Sequence, residues 1–255
     1  MPEPSPSRRR ALLEKYRWLV YLLPFIVFML VGSFEPPPLG QGNPDGLLPR
    51  IPYEYYPIVY TLKIILTVAA VIFVLPGYRE FPFRVSPLAV VVGVVGVVIW
   101  VGLCSLQLEI KLLGSLGIDK LLGLGARSAY NPFEEMQARP AWCAWAFLTV
   151  RFFGLVVVVA VIEEFFLRGF VMRYVMEPDW WTVPFGKVNA AAICLGTLIP
   201  VLMHPAELLA AAVWFSMITL LMIKTKNIWD CVVAHAVTNL LLGLYVVTSG
   251  EWHLM

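Results

Sequence analysis

The sequence predicts an all-α, polytopic membrane helical bundle of about seven to eight transmembrane helices. Three observations carry that expectation. Hydrophobic residues make up 60% of the chain and charged residues only 14%, with a mean hydropathy of +0.78, outside the range of ordinary soluble domains. The apolar residues fall into runs near the ~20 residues that a bilayer core demands of a helix. The basic residues collect between those runs, more on one side than on the other.

The runs are Trp18–Phe34, Pro57–Pro76, Pro87–Leu106, Trp142–Met176, Val188–Met203, Leu208–Ile223 and Ile228–Val247. The fifth and sixth are short, and the fourth is too long for a perpendicular span. Between the third and fourth lies Gln107–Pro140, whose Leu112, Leu113, Leu116, Ile118, Leu121 and Leu122 fit an amphipathic piece at the interface or an eighth hydrophobic element. The chain thus divides into an N-terminal tail at 1–17, N-terminal spans and an interfacial segment at 18–140, and a transmembrane core at 141–248. Pro36–Pro57 reads as a Pro- and Tyr-rich external loop.

With the N-terminus inside, the cytoplasmic face receives 12 Lys and Arg and the outer face 5, while Lys63 and Arg151 fall within spans. The expected orientation is therefore N-terminus cytoplasmic, in a multi-pass protein of the plasma (inner) membrane. Arg8–Arg10 before an apolar run could open a signal peptide. Phe34-Glu35-Pro36-Pro37-Pro38 follows without a small-residue cleavage site, which favours an uncleaved anchor. A formal charge of +2 is too small for a nucleic-acid partner. Cys104, Cys143, Cys194 and Cys231 lie in apolar stretches without Cys-x-x-Cys spacing and read as buried small hydrophobes.

Three polar patches interrupt the apolar chain: Glu163-Glu164-Phe165-Phe166-Leu167-Arg168, His204, and His235-Ala236-Val237-Thr238-Asn239. Each ionisable group at hydrocarbon depth costs at least a few kcal/mol unless it faces protein or a water-filled cavity. The patches are therefore expected to meet. Glu164 and Arg168, four apart, share a helix face and can pair, which accounts for them as a structural ion pair. Glu163 remains over, about 100° around the helix with Leu167 at its i+4 position. An unpaired carboxylate in low dielectric suits a general base. His204, alone, fits an interfacial cap; His235 and Asn239, again four apart, fit interhelical hydrogen-bond glue. Taken together they read as a hydrolytic site.

Depth tests the convergence. At 1.5 Å per residue, Glu163 lies ~20 Å from the helix end near Met176, His204 ~24 Å from Val188, and His235 ~12 Å from Asn227. Glu163 and His204 agree, whereas His235 is expected about two turns shallower, a gap that tilt recovers only in part.

Glu163-Glu164-x-x-x-Arg168-Gly169, a His closing an apolar span at His204, and His235-x-x-x-Asn239 closely resemble the CPBP (Abi) family. This is the group of membrane proteases that includes the type II CAAX prenyl endopeptidases. The resemblance covers roughly residues 140–248. It departs at Pro200, where the family usually has Phe four residues before the His.

The resemblance implies an intramembrane glutamate-type endopeptidase. Glu163 with His204 would activate a water, His235 and Asn239 would donate to the tetrahedral oxyanion, and Glu164 with Arg168 would hold the helix and orient Glu163. No cofactor or metal is expected: His, His and Glu can ligate zinc, but there is no His-Glu-x-x-His, and an amide is a poor zinc ligand. The expected partners are the lipid bilayer and a membrane-associated protein or peptide substrate such as a prenylated tail, a bacteriocin leader or a sorting tail.

Two alternatives stay open. A proton-coupled transporter would use the same residue types as a relay, but it would carry internal repeats with paired broken helices, and no repeat joins the two halves. A non-catalytic immunity or scaffolding relative would fit the loss of a catalytic position, yet all four are present.

Overall fold

The computed structural model describes residues 8–37, 51–109, 111 and 129–254. Among them there are helices and connections but no strand. Each of the seven apolar runs forms a helix. A short helix α1 (Arg8–Lys15) precedes α2 (Leu19–Gly32), and α3 (Tyr56–Tyr78) and α4 (Pro87–Leu106) follow. The long helix α5 covers Ala141–Tyr174, and α6 (Ala190–Met203), α7 (Leu208–Thr225) and α8 (Ile228–Ser249) complete the bundle. Five of these helices are long and apolar enough to cross a membrane, or six if α1 and α2, bent by 91°, count as one span. The chain is an integral membrane protein. The 14 residues of α6 reach only ~21 Å, short of a full hydrocarbon core. The expected eighth element falls largely on 110 and 112–128, outside the described residues. Of the rest of that segment, Leu108, Glu109 and Lys111 are helical, and a short helix spans Pro132–Glu135.

Local chemistry sets the helix ends. Asn189 and Asn227 cap α6 and α8 by accepting from the amides of Ala192 and Trp229, the role of a short polar side chain at an N-terminus. The start of α7 is capped from elsewhere in the chain, because Glu109 accepts from Leu209 N at 2.9 Å. Gln107, Lys226 and Gly250 adopt positive φ where α4, α7 and α8 stop. Pro76 lacks the N–H that would bond the carbonyl of Ile72, and Arg9 donates to Ile72 O and Phe73 O instead. This ties α1 to α3.

Two π-helical turns interrupt α5, at Gly154–Val159 and Phe165–Val171, on either side of the Glu163-Glu164 pair. They leave carbonyls outside the regular ladder, and such turns occur often at functional sites.

The bundle is layered around α5, α7 and α8. One apolar core joins α4, α5, α6, α7 and α8 through Trp100, Leu167, Met172, Trp214, Phe215 and Ile218. A second packs Tyr21, Tyr78, Phe165 and Ile228 between α2, α3, α5 and α8. Gly96 admits the indole of Trp214 at this seam: a Cβ there would lie 2.7 Å from Trp214 Nε1.

Candidate active site

Glu163 and Glu164 are neighbours on α5 with opposite environments. Glu164 and Arg168 are both fully buried and pair at 2.9 Å, as their spacing predicts. Arg168 also donates through Nη2 to the carbonyl of Phe215 at 3.2 Å and lies 5.4 Å from the Phe215 ring. A bare guanidinium here would be strongly unfavourable, so the carboxylate, the carbonyl and the ring act together.

Glu164 has a second partner. The Nδ1–H of His235 donates to its Oε1 at 2.9 Å, a carboxylate being able only to accept. That bond turns Nε2 of His235 toward Glu163, whose Oε2 lies 3.9 Å away. The distance is too long for a direct hydrogen bond and within reach of one intervening water. Glu164 therefore grips His235, a contact the sequence reading did not foresee.

The expected two-turn offset of His235 does not occur. Three features remove it. α5 ends at Tyr174 rather than near Met176, and the π turn Phe165–Val171 packs more residues into a given length than an α-helix does. In addition, α8 starts deep. A Cβ on Gly169 would meet the Ile228 side chain at 3.6 Å, so the first residue of α8 lies level with Gly169. Six residues back from Gly169 and seven forward from Ile228 bring Glu163 and His235 to one height.

His204 follows α6 directly. Its Nδ1–H donates to the carbonyl of Pro200 at 2.7 Å, which leaves Nε2 as the acceptor nitrogen. The ring packs against Trp100 and Phe215, with centroids 5.7 and 5.6 Å away. The departure at Pro200 is thus absorbed locally: the helix runs through the proline, and its carbonyl orients the His.

Asn239 donates through Nδ2 to the carbonyl of Leu155 at 2.8 Å, a carbonyl within the first π turn. An amide carries two N–H groups, so one remains for other use. Thr238 supports the same wall, accepting from Trp214 Nε1 at 3.1 Å and donating to Gly93 O at 2.9 Å. The Trp214 ring stands edge-on to His235 at 4.6 Å.

Glu163, His204, His235 and Asn239 all line one cavity of ≈ 550 Å³, a volume usual for a ligand site. The Glu163 side chain is 13% exposed there, while Glu164 and Arg168 lie behind the wall. Among the described residues no group of three or more His, Cys, Asp or Glu is arranged to hold a metal ion. The cavity also takes in Glu35, Tyr60, Lys63, Arg151 and Glu207. Lys63 and Arg151 fall within apolar runs of the sequence, and the sequence alone assigns them no role. A charged residue inside an apolar run was the signal available.

No curated protein and no solved structure matches this chain. Residues 144–241, less than half of its length, match the family described as Type II CAAX prenyl endopeptidase Rce1-like. That family is one of proteases of the CAAX endopeptidase kind, acting on membrane-associated peptides. The matched segment runs from α5 to α8 and holds Glu163, Glu164, Arg168, His204, His235 and Asn239. Over residues 144–241 the chain is therefore similar to the Rce1-like type II CAAX prenyl endopeptidases.

Proposed function

We propose that this protein is an intramembrane endopeptidase of the glutamate type, hydrolysing a peptide bond in a membrane-associated protein or peptide. The observation that carries this reading is the convergence of Glu163, His204, His235 and Asn239 on one cavity, with His235 Nε2 3.9 Å from Glu163 Oε2.

In this reading Glu163 removes a proton from a water while Nε2 of His204 accepts the water's other hydrogen. The resulting hydroxide attacks the scissile carbonyl carbon. The oxyanion receives hydrogen bonds from His235 Nε2–H and from the N–H of Asn239 not used by Leu155. Preorganised donors of this kind usually contribute most to rate. The oxyanion then collapses to a carbonyl as the C–N bond breaks, and Glu163 gives its proton to the departing nitrogen. Because Nδ1–H of His235 is engaged by Glu164, donation from Nε2 requires the doubly protonated ring. Glu163, Glu164, Arg168 and that imidazolium sum to zero charge, which suits a site at hydrocarbon depth.

The proposed setting is the plasma (inner) membrane with the N-terminus cytoplasmic, supported by the 12 to 5 distribution of basic residues. The proposed substrate class is a prenylated or otherwise membrane-bound tail. The test is a proteoliposome assay with an S-prenylated CAAX-type peptide, the C-terminal fragment being detected by mass spectrometry. Release by the wild type and none by Glu163→Ala is expected; equal release by both would contradict the reading.

A further inference from the structure

The cavity holds a second polar cluster, set apart from the groups that act on water. Arg151 stands twelve residues before Glu163 on α5, with the π turn Gly154–Val159 between them, so the two lie closer along the axis than the ~18 Å of an ideal α-helix. Near it on α3 is Lys63, 5% exposed, the eighth residue of its helix and about 10 Å from the helix start. Being buried, Lys63 cannot extend its ammonium to the interface, and a cation at such depth requires a counter-charge. Glu35 supplies it at 2.5 Å. The ammonium also lies 4.3 Å from the Phe28 ring and 4.5 Å from the Tyr60 ring, an arrangement that holds a cation firmly. The Tyr60 hydroxyl donates to the Arg151 carbonyl, so the two basic residues belong to one frame.

The partners differ in how they are held. Lys63 is fixed in the middle of a helix between two rings. Glu35 arrives from the connection three residues past the end of α2, and its side chain is 21% exposed. Both line the cavity that contains Glu163. A carboxylate brought by a connecting segment to a buried, helix-fixed cation occupies the place that a ligand carboxylate would take. The ring walls beside it suit an apolar residue next to that carboxylate.

We infer that Lys63 is the subsite for the free C-terminal carboxylate of the substrate, and that Glu35 stands in for that carboxylate in the ligand-free protein. The inference rests on the peptidase reading and deepens it: the enzyme reads the end of its substrate, not an internal stretch.

Full-length protein carrying Glu163→Gln, in lipid nanodiscs, tests this without turnover. The probe is a fluorescent S-prenylated CAAX-type peptide, prepared as the free acid and as the C-terminal amide, with binding read by anisotropy. The free acid should bind about tenfold tighter than the amide. Lys63→Met should bring the acid down to the amide's affinity without changing the amide. Lys63→Arg should restore most of the preference. Glu35→Gln should tighten the acid about threefold or more, since it removes the internal competitor.

Equal affinities for acid and amide, or a preference that survives Lys63→Met, would overturn the inference. So would a Glu35→Gln that weakens the acid as Lys63→Met does, because the pair would then be only structural. An acid preference that vanishes in Lys63→Met, alongside no cleavage by protein with Glu163 restored, would support the subsite and count against the peptidase reading alone.

Discussion

The two faces of α5 around Glu163-Glu164 use the same side chain for opposite ends. On one face Glu164 is sealed among Arg168, His235 and the Phe215 backbone, with both it and Arg168 fully buried. On the other, Glu163 opens into the cavity with His235 near but not bonded. The difference shows how a membrane bundle can keep a reactive carboxylate. One acid is committed to orienting its surroundings, and its neighbour is then left unbonded in a fixed place.

The largest effect is expected at the open face. Glu163→Ala should lower peptide cleavage by ~10⁴-fold, the upper range for a positioned acid–base group, with little change in melting temperature because Glu163 makes no direct hydrogen bond and its 3.9 Å approach to His235 faces the open cavity. Glu164→Ala should act on stability as well. It leaves Arg168 buried without its counter-charge, which costs ~3–5 kcal/mol, and it releases His235. A denaturation series read by intrinsic tryptophan fluorescence would show it.

Asn239→Ala should lower kcat by ~10²–10³ with little change in KM, as for other oxyanion donors. A change confined to KM would assign Asn239 to bracing the Leu155 carbonyl alone. Thr238→Val keeps the shape of its site but strands the Trp214 N–H, and about 1–2 kcal/mol of stability should be lost. The smallest effect is expected from chelation. Protein purified in detergent should stay active after exhaustive chelation and carry no stoichiometric metal by elemental analysis. One equivalent of zinc, with activity lost on removal and regained on return, would overturn the glutamate-type mechanism and leave the peptidase reading standing.

Much of the fold was legible because lipid imposes a simple requirement. Apolar runs of the right length became helices within a few residues of their sequence bounds, from α2 to α8. The polar patches were legible for the converse reason, since nothing but convergence makes them tolerable at that depth. The internal height of α8 was not legible. Depth arithmetic assumed ideal α-helical rise and a common starting level, and the π turns of α5 and the seat of Ile228 beside Gly169 broke both assumptions. The grip of Glu164 on His235 was hidden for the same reason, as it spans 71 residues. Lys63 and Arg151 were visible as charges in apolar runs, but their shared cavity depends on how α3 packs against α5, which no local pattern records.

The proposed mechanism requires that Glu163 works and Glu164 holds. Its most direct test is the thermal melting of wild type, Glu163→Gln and Glu164→Gln in one detergent, each also assayed for peptide cleavage. The account predicts that Glu163→Gln melts with the wild type yet is inactive, while Glu164→Gln melts well below both. A Glu164→Gln protein with wild-type melting, beside a Glu163→Gln protein that melts early, would show that the two carboxylates have been assigned the wrong way round.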